Sequence, residues 1–253
     1  MKPPSEKRLA ELLDRLGETL DASGQMEIEE RHRRALAWEA VDRLPLVISH
    51  PLPSEFRFQP WPHREVFDDP AKMLFNELVS AVETSVAVSA EAGDDLPWTI
   101  RANFGTVVIA SMFGAHIEQV EDNPPWVRSD EARSCPLEAL PEIDPTDFSQ
   151  GWCPRVIERH AFYRDTLRQH PTLERAIRVV LPDLQGPFDT LELILGSSLF
   201  TELRDRPADV EVALHALAVS SLRTTPGATD HRRARGFRAS ARDNDLWPDS
   251  HPR

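Results

Sequence analysis

Hydrophobic residues recur at helical spacing over much of this chain. The first such stripe consists of Leu9, Leu12, Leu13, Leu16 and Leu20. Spacing by three and four residues predicts an amphipathic N-terminal helix with one buried face. The same criterion, with a break at Gly24 and an N-cap pair at Asp69-Pro70, predicts further helices over 27–41, from 70 onwards, over 106–113, over 153–169 and in three segments within 189–222.

Four short apolar segments predict β-strands between these helices. They centre on Leu46, Thr99, Ile117 and Val179. Alternation of strands and helices favours a parallel sheet, and a closed barrel of this kind needs about eight strands. We therefore predict an α/β fold preceded by N-terminal helices, and four strands are too few to close a barrel. The length of 253 residues suits one (β/α)8 barrel or two smaller domains.

Polar residues follow three of the predicted strands. The substrate-binding candidates are His50, Asn103, Asp183, Gln185 and Gly186. Because parallel strands present their carboxyl ends at one edge, we expect these residues to lie near one another. His50 also has a plainer interpretation, since a lone histidine in a Pro-rich loop is more often a surface or capping group. The pattern assigns no catalytic residue.

Two acidic neighbours, Asp94 and Asp95, precede the second predicted strand. Paired carboxylates can divide acid and base roles. Adjacent residues of an extended segment point to opposite faces, however, and the amino end of a strand is the wrong end for a site. We interpret both aspartates as solvated residues that terminate the preceding helix.

Two other pairs offer metal-ligand chemistry. They are His116 with Glu118 and Cys153 with His160, the second needing help from Cys135. Two ligands do not make a zinc site. An edge-strand pair explains the first, while a buried free thiol and a half-buried histidine explain the second. We predict no metal site in the chain.

The net charge of −13 and the pI near 5.1 exclude nucleic acid and anionic membrane surfaces as main partners, because both require a positive face. The sequence shows no apolar run of about 20 residues and no signal-peptide core at its start, so we expect a cytoplasmic protein. Its two cysteines fit a reducing compartment.

Three stretches in the region 30–222 resemble, in order, the uroporphyrinogen decarboxylase family. They are RRALAW with DRLPLV within 33–47, the stretch from NFGT to MFG at 103–114, and DLQGPFDTLELILG at 183–196. The resemblance implies a TIM barrel that acts on tetrapyrroles or transfers methyl groups to corrinoid and thiol acceptors. With four predicted strands, this chain would form an incomplete TIM (β/α)8-type barrel with N-terminal helices. It implies a small tetrapyrrole or methyl donor as ligand and a corrinoid protein as partner.

The segment after the first predicted strand decides between branches of that family. Uroporphyrinogen decarboxylases carry Arg-Gln-Ala-Gly-Arg there, whereas this chain reads His50-Pro51-Leu52-Pro53-Ser54. Loss of the basic clamp favours the corrinoid/thiol methyltransferase branch, whose intact members bind zinc through residues in the carboxyl half. We assign no cofactor to this chain itself. Uroporphyrinogen decarboxylation in heme biosynthesis and a non-catalytic remnant are the alternatives.

Three regions follow from these patterns: helices over 1–40, a partial barrel over 41–222 and a tail over 223–253. The tail has seven arginines and four aspartates, with Leu246 as its one residue of the Ile, Leu, Val and Met types, so we predict disorder. We interpret the chain as a truncated or frameshifted family member. Open strand edges should then favour self-association, and we expect no robust catalytic activity from the chain alone.

Overall fold

The computed structural model describes residues 3–48, 54–86, 92–128 and 136–224, with side chains up to 221. In the first half of the chain the elements are α1 Pro4–Thr19, α2 Ala22–Leu36, α3 Pro70–Leu78, β1 Thr99–Arg101, α4 Val108–Met112, β2 Ile117–Glu118 and β3 Trp126–Val127. The second half contains α5 Cys153–Arg168, α6 Pro171–Ala176, β4 Arg178–Val180, α7 Pro187–Leu195, α8 Ser198–Asp205 and α9 Pro207–Thr224. Short 3-10 helices cover His63–Glu65 and Leu137–Glu142, and a π-helical turn, Val79–Glu83, extends α3.

The chain divides into two compact parts. The first contains residues up to 102 together with 159–180, and the second contains 103–158 and the described residues from 181 onwards. Both mix helices with short strands, so the described residues form an α/β fold. The boundary predicted for the disordered tail, at residue 223, is wrong, because α9 continues to Thr224. The rest of the tail, from residue 225, lies outside the described residues.

In the first part, the leucine stripe of α1 is buried as the periodicity predicts, and α1 packs against α3 and α6. The prediction for α2 is wrong at both ends. Asp21 caps the helix by accepting a hydrogen bond from the Ser23 amide (3.0 Å), so Gly24 lies inside α2 and not at a break. The helix ends at Leu36, five residues before Val41.

Strands β1 and β4 form a parallel pair. Their register joins Thr99 to Arg178, Ile100 to Val179 and Arg101 to Val180. Ile100 is fully buried, but β4 is only half-buried along its length, whereas the apolar run predicts burial on both faces. Across the described ranges, β4 has one strand neighbour, which leaves part of its side-chain surface uncovered.

The strand predicted at Leu46 is absent from the described sheet. Residues 44–48 have no regular secondary structure, and the carboxylates of Asp95 and Asp94 accept hydrogen bonds from the amides of Leu46 (2.9 Å) and Ile48 (3.0 Å). The interpretation of these two aspartates as solvated is also wrong, because they are 9% and 1% exposed. Leu44 and Val47, by contrast, are exposed, so the apolar residues of this segment do not enter the core.

In the second part, a hydrophobic cluster consists of Val107, Ala110, Val127 and Leu193. Helices α4, α7 and α9 pack together around it. Strand β2 pairs antiparallel with β3, with Ile117 opposite Val127 and Glu118 opposite Trp126. The strand predicted at Ile117 is therefore present, but it forms a small antiparallel pair of its own and does not join β1 and β4.

Candidate functional site

Two of the loops that carry site candidates begin at the same edge of the parallel pair. Arg101 ends β1 and Val180 ends β4, and the two residues are partners in the ladder. Asn103 follows Arg101 by two residues, and Asp183 follows Val180 by three. Both loops therefore leave the carboxyl ends of their strands, which is where parallel folds place binding groups. His50 lies outside the described residues.

The first loop combines a turn with a buried aromatic group. Asn103 is half-buried, and its side-chain oxygen accepts a long hydrogen bond from the Gly105 amide (3.4 Å). Gly105 has φ of 68°, the left-handed conformation that glycine adopts without steric cost. Phe104, between them, is fully buried and meets the ring of Trp152 edge-to-face, with centroids 5.7 Å apart.

A guanidinium group covers both rings. The Arg155 carbon Cζ lies 4.9 Å from the Trp152 centroid and 5.4 Å from the Phe104 centroid. Stacking on ring faces holds the planar guanidinium in a defined orientation. Sequence reasoning did not identify this cation, although the i, i+3 spacing of Trp152 and Arg155 indicates one face of a helix start. Their partner Phe104 is too distant in sequence to be recognised from spacing.

A close backbone approach fixes the position of Trp152. The Trp152 amide donates a hydrogen bond to Ser111 Oγ (2.9 Å). Just before it, Gly151 has φ of 57°, and a β-carbon at this position would lie 2.5 Å from the Ser111 carbonyl carbon. Only glycine fits here, so the close approach of residue 151 to Ser111 holds Trp152 in place against Phe104 of the first loop.

The second loop presents a polar side chain that its surroundings leave unsatisfied. Gln185 is half-buried, and its oxygen Oε1 is buried without a hydrogen-bond partner in the part of the chain that the structure describes. A buried acceptor without a donor costs on the order of 1–3 kcal/mol. By contrast, the Gly186 carbonyl oxygen is occupied, since it accepts from the amide (2.9 Å) and hydroxyl (3.0 Å) of Thr190 in the first turn of α7. Gln185 Oε1 is therefore a buried acceptor with no partner among the described residues, while the Gly186 carbonyl serves the start of α7.

Neither of the suspected metal-ligand pairs forms a cluster. Burial raises the pKa of the Cys153 thiol to about 12, which keeps the sulfur protonated. Burial, with a contribution from the charge of Arg164, lowers the pKa of His160 to about 4. Within the residues that the structure describes, no three His, Cys, Asp or Glu side chains are close enough to hold a metal ion. Glu118 of β2 lies 3.3 Å from the guanidinium of Arg128, the residue that follows β3.

Among the described helices, none has the length and apolarity that a crossing of the bilayer requires. No protein-family profile matches the sequence, and comparison with curated proteins gives no match. A methyltransferase from Methanosarcina mazei has a similar structure, with a TM-score of 0.51 and 17% identity over 78% of this chain. The chain spans 54% of that methyltransferase's length. At this identity the similarity is one of fold.

Proposed function

We propose that this chain contributes the substrate-binding part of a barrel-type methyltransferase related to the uroporphyrinogen decarboxylases, in the branch that moves methyl groups between corrinoids and thiols. The observation that carries the proposal is the unsatisfied Gln185 acceptor in the loop that follows β4. The similarity of fold to a methyltransferase supports it at a coarse level. We propose further that the barrel of this chain is incomplete.

The chemistry of Gln185 favours a corrinoid over a porphyrinogen ligand. A corrin ring carries carboxamide side chains, whose N–H groups donate hydrogen bonds. The side chains of uroporphyrinogen end in carboxylates. An ionised carboxylate accepts hydrogen bonds and donates none. The buried acceptor Gln185 Oε1 can therefore accept a hydrogen bond from a corrin carboxamide, whereas an ionised carboxylate offers it no donor.

Zinc, which the resemblance implies for intact relatives, does not fit the described residues. The Cys153 thiol is 2% exposed and its pKa is raised, whereas a zinc ligand is an accessible thiolate. Cys135 lies outside the described residues. We therefore assign ligand binding to this chain and derive no step through a metal.

One observation favours uroporphyrinogen decarboxylation as a second candidate. Substrate carboxylates need cationic partners, and the segment after the first predicted strand lacks them. The guanidinium of Arg155 in α5, whose Cζ lies over the rings of Trp152 and of Phe104 in the loop after β1, is a cation that could pair with one carboxylate. A site that used it would tolerate loss of the Gln185 acceptor but not loss of the Arg155 charge.

Ligand titrations distinguish the two candidates. Methylcobalamin and coproporphyrin would be added separately to the wild-type chain, to Gln185→Leu and to Arg155→Met, with binding followed by absorbance. The methyltransferase proposal predicts methylcobalamin binding that Gln185→Leu weakens by about tenfold or more while the free protein keeps its stability, because the change removes an unsatisfied acceptor.

Gln169→Leu is the matched control, since Gln169 is exposed at the end of α5. This variant should bind methylcobalamin as the wild type does. Binding of coproporphyrin alone, sensitive to Arg155→Met, would support the decarboxylase candidate instead. Binding of neither ligand would favour a non-catalytic remnant.

A further inference from the structure

The residue after the C-terminal cap of α2 has an unexpected conformation. Trp38 has φ of 58° and is 95% exposed. Helices commonly end with glycine in this left-handed conformation, and a bulky residue there costs about 1–2 kcal/mol. Hydrogen bonds from the Trp38 amide to the Ala35 carbonyl (3.1 Å) and from the Glu39 amide to the Arg34 carbonyl (2.9 Å) hold the turn. The backbone is therefore strained at a residue whose indole ring is exposed to solvent.

A groove of about 340 Å³ lies along the same part of α2. It is lined by Met26, Glu27, Glu30, Arg31, Arg34, Val41 and Asp42. Met26 and Val41 supply apolar surface, and the remaining residues carry charges of both signs. Trp38 lies in sequence between two lining residues, Arg34 and Val41, which places its backbone next to the groove.

One wall of the groove is rigid. The Arg31 guanidinium donates to both carboxylate oxygens of Asp42 (3.0 and 3.1 Å) and to the buried Asp95 (2.7 Å). Paired donors in this fork geometry restrict a guanidinium strongly. A groove that keeps its shape before contact loses less conformational entropy when it is filled.

We propose that two copies of this chain associate through this surface, with Trp38 of each copy inserted into the groove of the other. A two-fold contact joins one patch to itself, so it requires a projection and a matching recess on the same surface, which this region provides. The groove also carries opposite charges on Glu27 and Arg34, so a two-fold contact can set Glu27 of one copy against Arg34 of the other. Inserted there, the indole meets Met26 and Val41 and offers its ring face to the Arg34 guanidinium.

The exposed apolar residues around Trp38 enlarge this patch. Leu36 is 69% exposed and Leu44 is 78% exposed. Tryptophan anchors surrounded by such residues contribute most of the binding energy at protein interfaces. The association uses side chains beside α2 and does not involve the edges of β1 or β4, and it does not depend on the proposed function.

Sedimentation velocity over a series of protein concentrations tests the proposal on the full chain. Wild type should be a concentration-dependent dimer. Trp38→Gly should raise the dimer dissociation constant by about 30-fold or more, the scale of an interface hot spot. Because glycine suits φ of 58°, this variant should unfold at an equal or higher midpoint, so misfolding cannot account for the loss.

Two further variants complete the test. Met26→Arg fills the groove and should weaken the dimer while Trp38 is intact. Trp126→Ala removes another exposed tryptophan (57%) from β3 and should leave the dimer unchanged. A wild-type chain that stays monomeric would leave the surface to a different partner and overturn the proposal. Undiminished dimerisation of Trp38→Gly would overturn it equally.

Discussion

Asp95 and Leu46 bind each other in both directions. The Asp95 amide donates to the Leu46 carbonyl oxygen (2.6 Å), and the Asp95 carboxylate accepts from the Leu46 amide (2.9 Å). The same carboxylate accepts from Arg31 (2.7 Å) and from two nitrogens of Arg43, one of them at 2.8 Å. One buried side chain thus replaces part of a strand ladder and fixes the segment where a first strand was predicted.

Replacing Asp95 should destabilise the fold. In Asp95→Asn the guanidinium of Arg31 loses a charged partner and the Leu46 amide loses a strong acceptor. We expect a loss of about 3 kcal/mol in the free energy of unfolding, the lower end for breaking a buried ion pair, because Arg43 is 46% exposed and can be resolvated. Urea denaturation measures this value.

The exposed Asp14 of α1 gives the control for that measurement, and Asp14→Asn should change the free energy of unfolding by less than about 0.5 kcal/mol. Equal effects of the two changes would contradict the role of Asp95.

Lowering the pH should remove the stabilisation that the Asp95 carboxylate provides. Burial opposes the charge of Asp95, but hydrogen bonds from Arg43 and Leu46 and the charges of Arg43 and Arg31 outweigh burial, so its pKa is lowered. The stabilisation is therefore complete above the unfolded pKa of 3.8 and is lost as pH falls through the lower folded value. Below pH 3.8 the stability of Asp95→Asn should depend less on pH than that of wild type.

The lowered pKa of His160 predicts a second pH dependence of the free energy of unfolding, at higher pH than that of Asp95. Its folded pKa is about 4 and its ordinary value is 6.5, so between these values the unfolded state binds the proton more readily. Stability should therefore fall as pH is lowered from about 6.5 to about 4, by up to roughly 3 kcal/mol. His160→Gln should flatten this window in urea titrations, whereas the exposed His116→Gln should not.

Replacement of Gly151 and of Gly17 by alanine should have opposite effects on the free energy of unfolding. Gly151→Ala places a methyl group 2.5 Å from Ser111 atoms at φ of 57°, and we expect a loss of about 2–4 kcal/mol. Gly17 lies in α1, and no atom of the described residues is within 4 Å of its β-carbon position, so Gly17→Ala should raise the free energy of unfolding by about 0.5–1 kcal/mol. Thermal unfolding of both variants checks the pair, and a tolerated Gly151→Ala would contradict the close approach to Ser111.

Cys153 should be a poor nucleophile in the folded chain. Its thiol pKa of about 12 leaves roughly 1,000-fold less thiolate at neutral pH than an ordinary cysteine has. In a Cys135→Ser background, Ellman's reagent should therefore modify the native chain slowly and the denatured chain at once. Rapid modification of the native chain would instead make Cys153 available as a metal ligand.

Some features of the candidate site could be predicted from the sequence and others could not. The difference is how far apart in the chain the interacting residues lie. The loops at Asn103 and Asp183 could be predicted, because each follows an apolar segment that ends at a turn. The cation of Arg155 and the close contact of Gly151 with Ser111 could not, because they depend on residues far apart in the chain. Gln185 was found by its position, but its unsatisfied oxygen is a property of the folded surroundings.

The sequence by itself determined the local elements of this protein. The leucine stripe of α1 and the Asp69 cap of α3, whose carboxylate accepts from the amides of Ala71 (2.9 Å) and Lys72 (3.2 Å), are settled within a few residues of chain. Helical period and capping are short-range effects, so a reading of the sequence recovers them.

The tertiary structure alone decided which strands pair and which charges are buried. The parallel pairing of β1 with β4, the separate pairing of β2 with β3 and the burial of Asp95 join distant segments. Strand periodicity is the same for a parallel pair, an antiparallel pair and an extended segment held by side chains. What separates these outcomes is whether each backbone donor and acceptor finds a partner across the fold, and at Leu46 that partner is the side chain of Asp95.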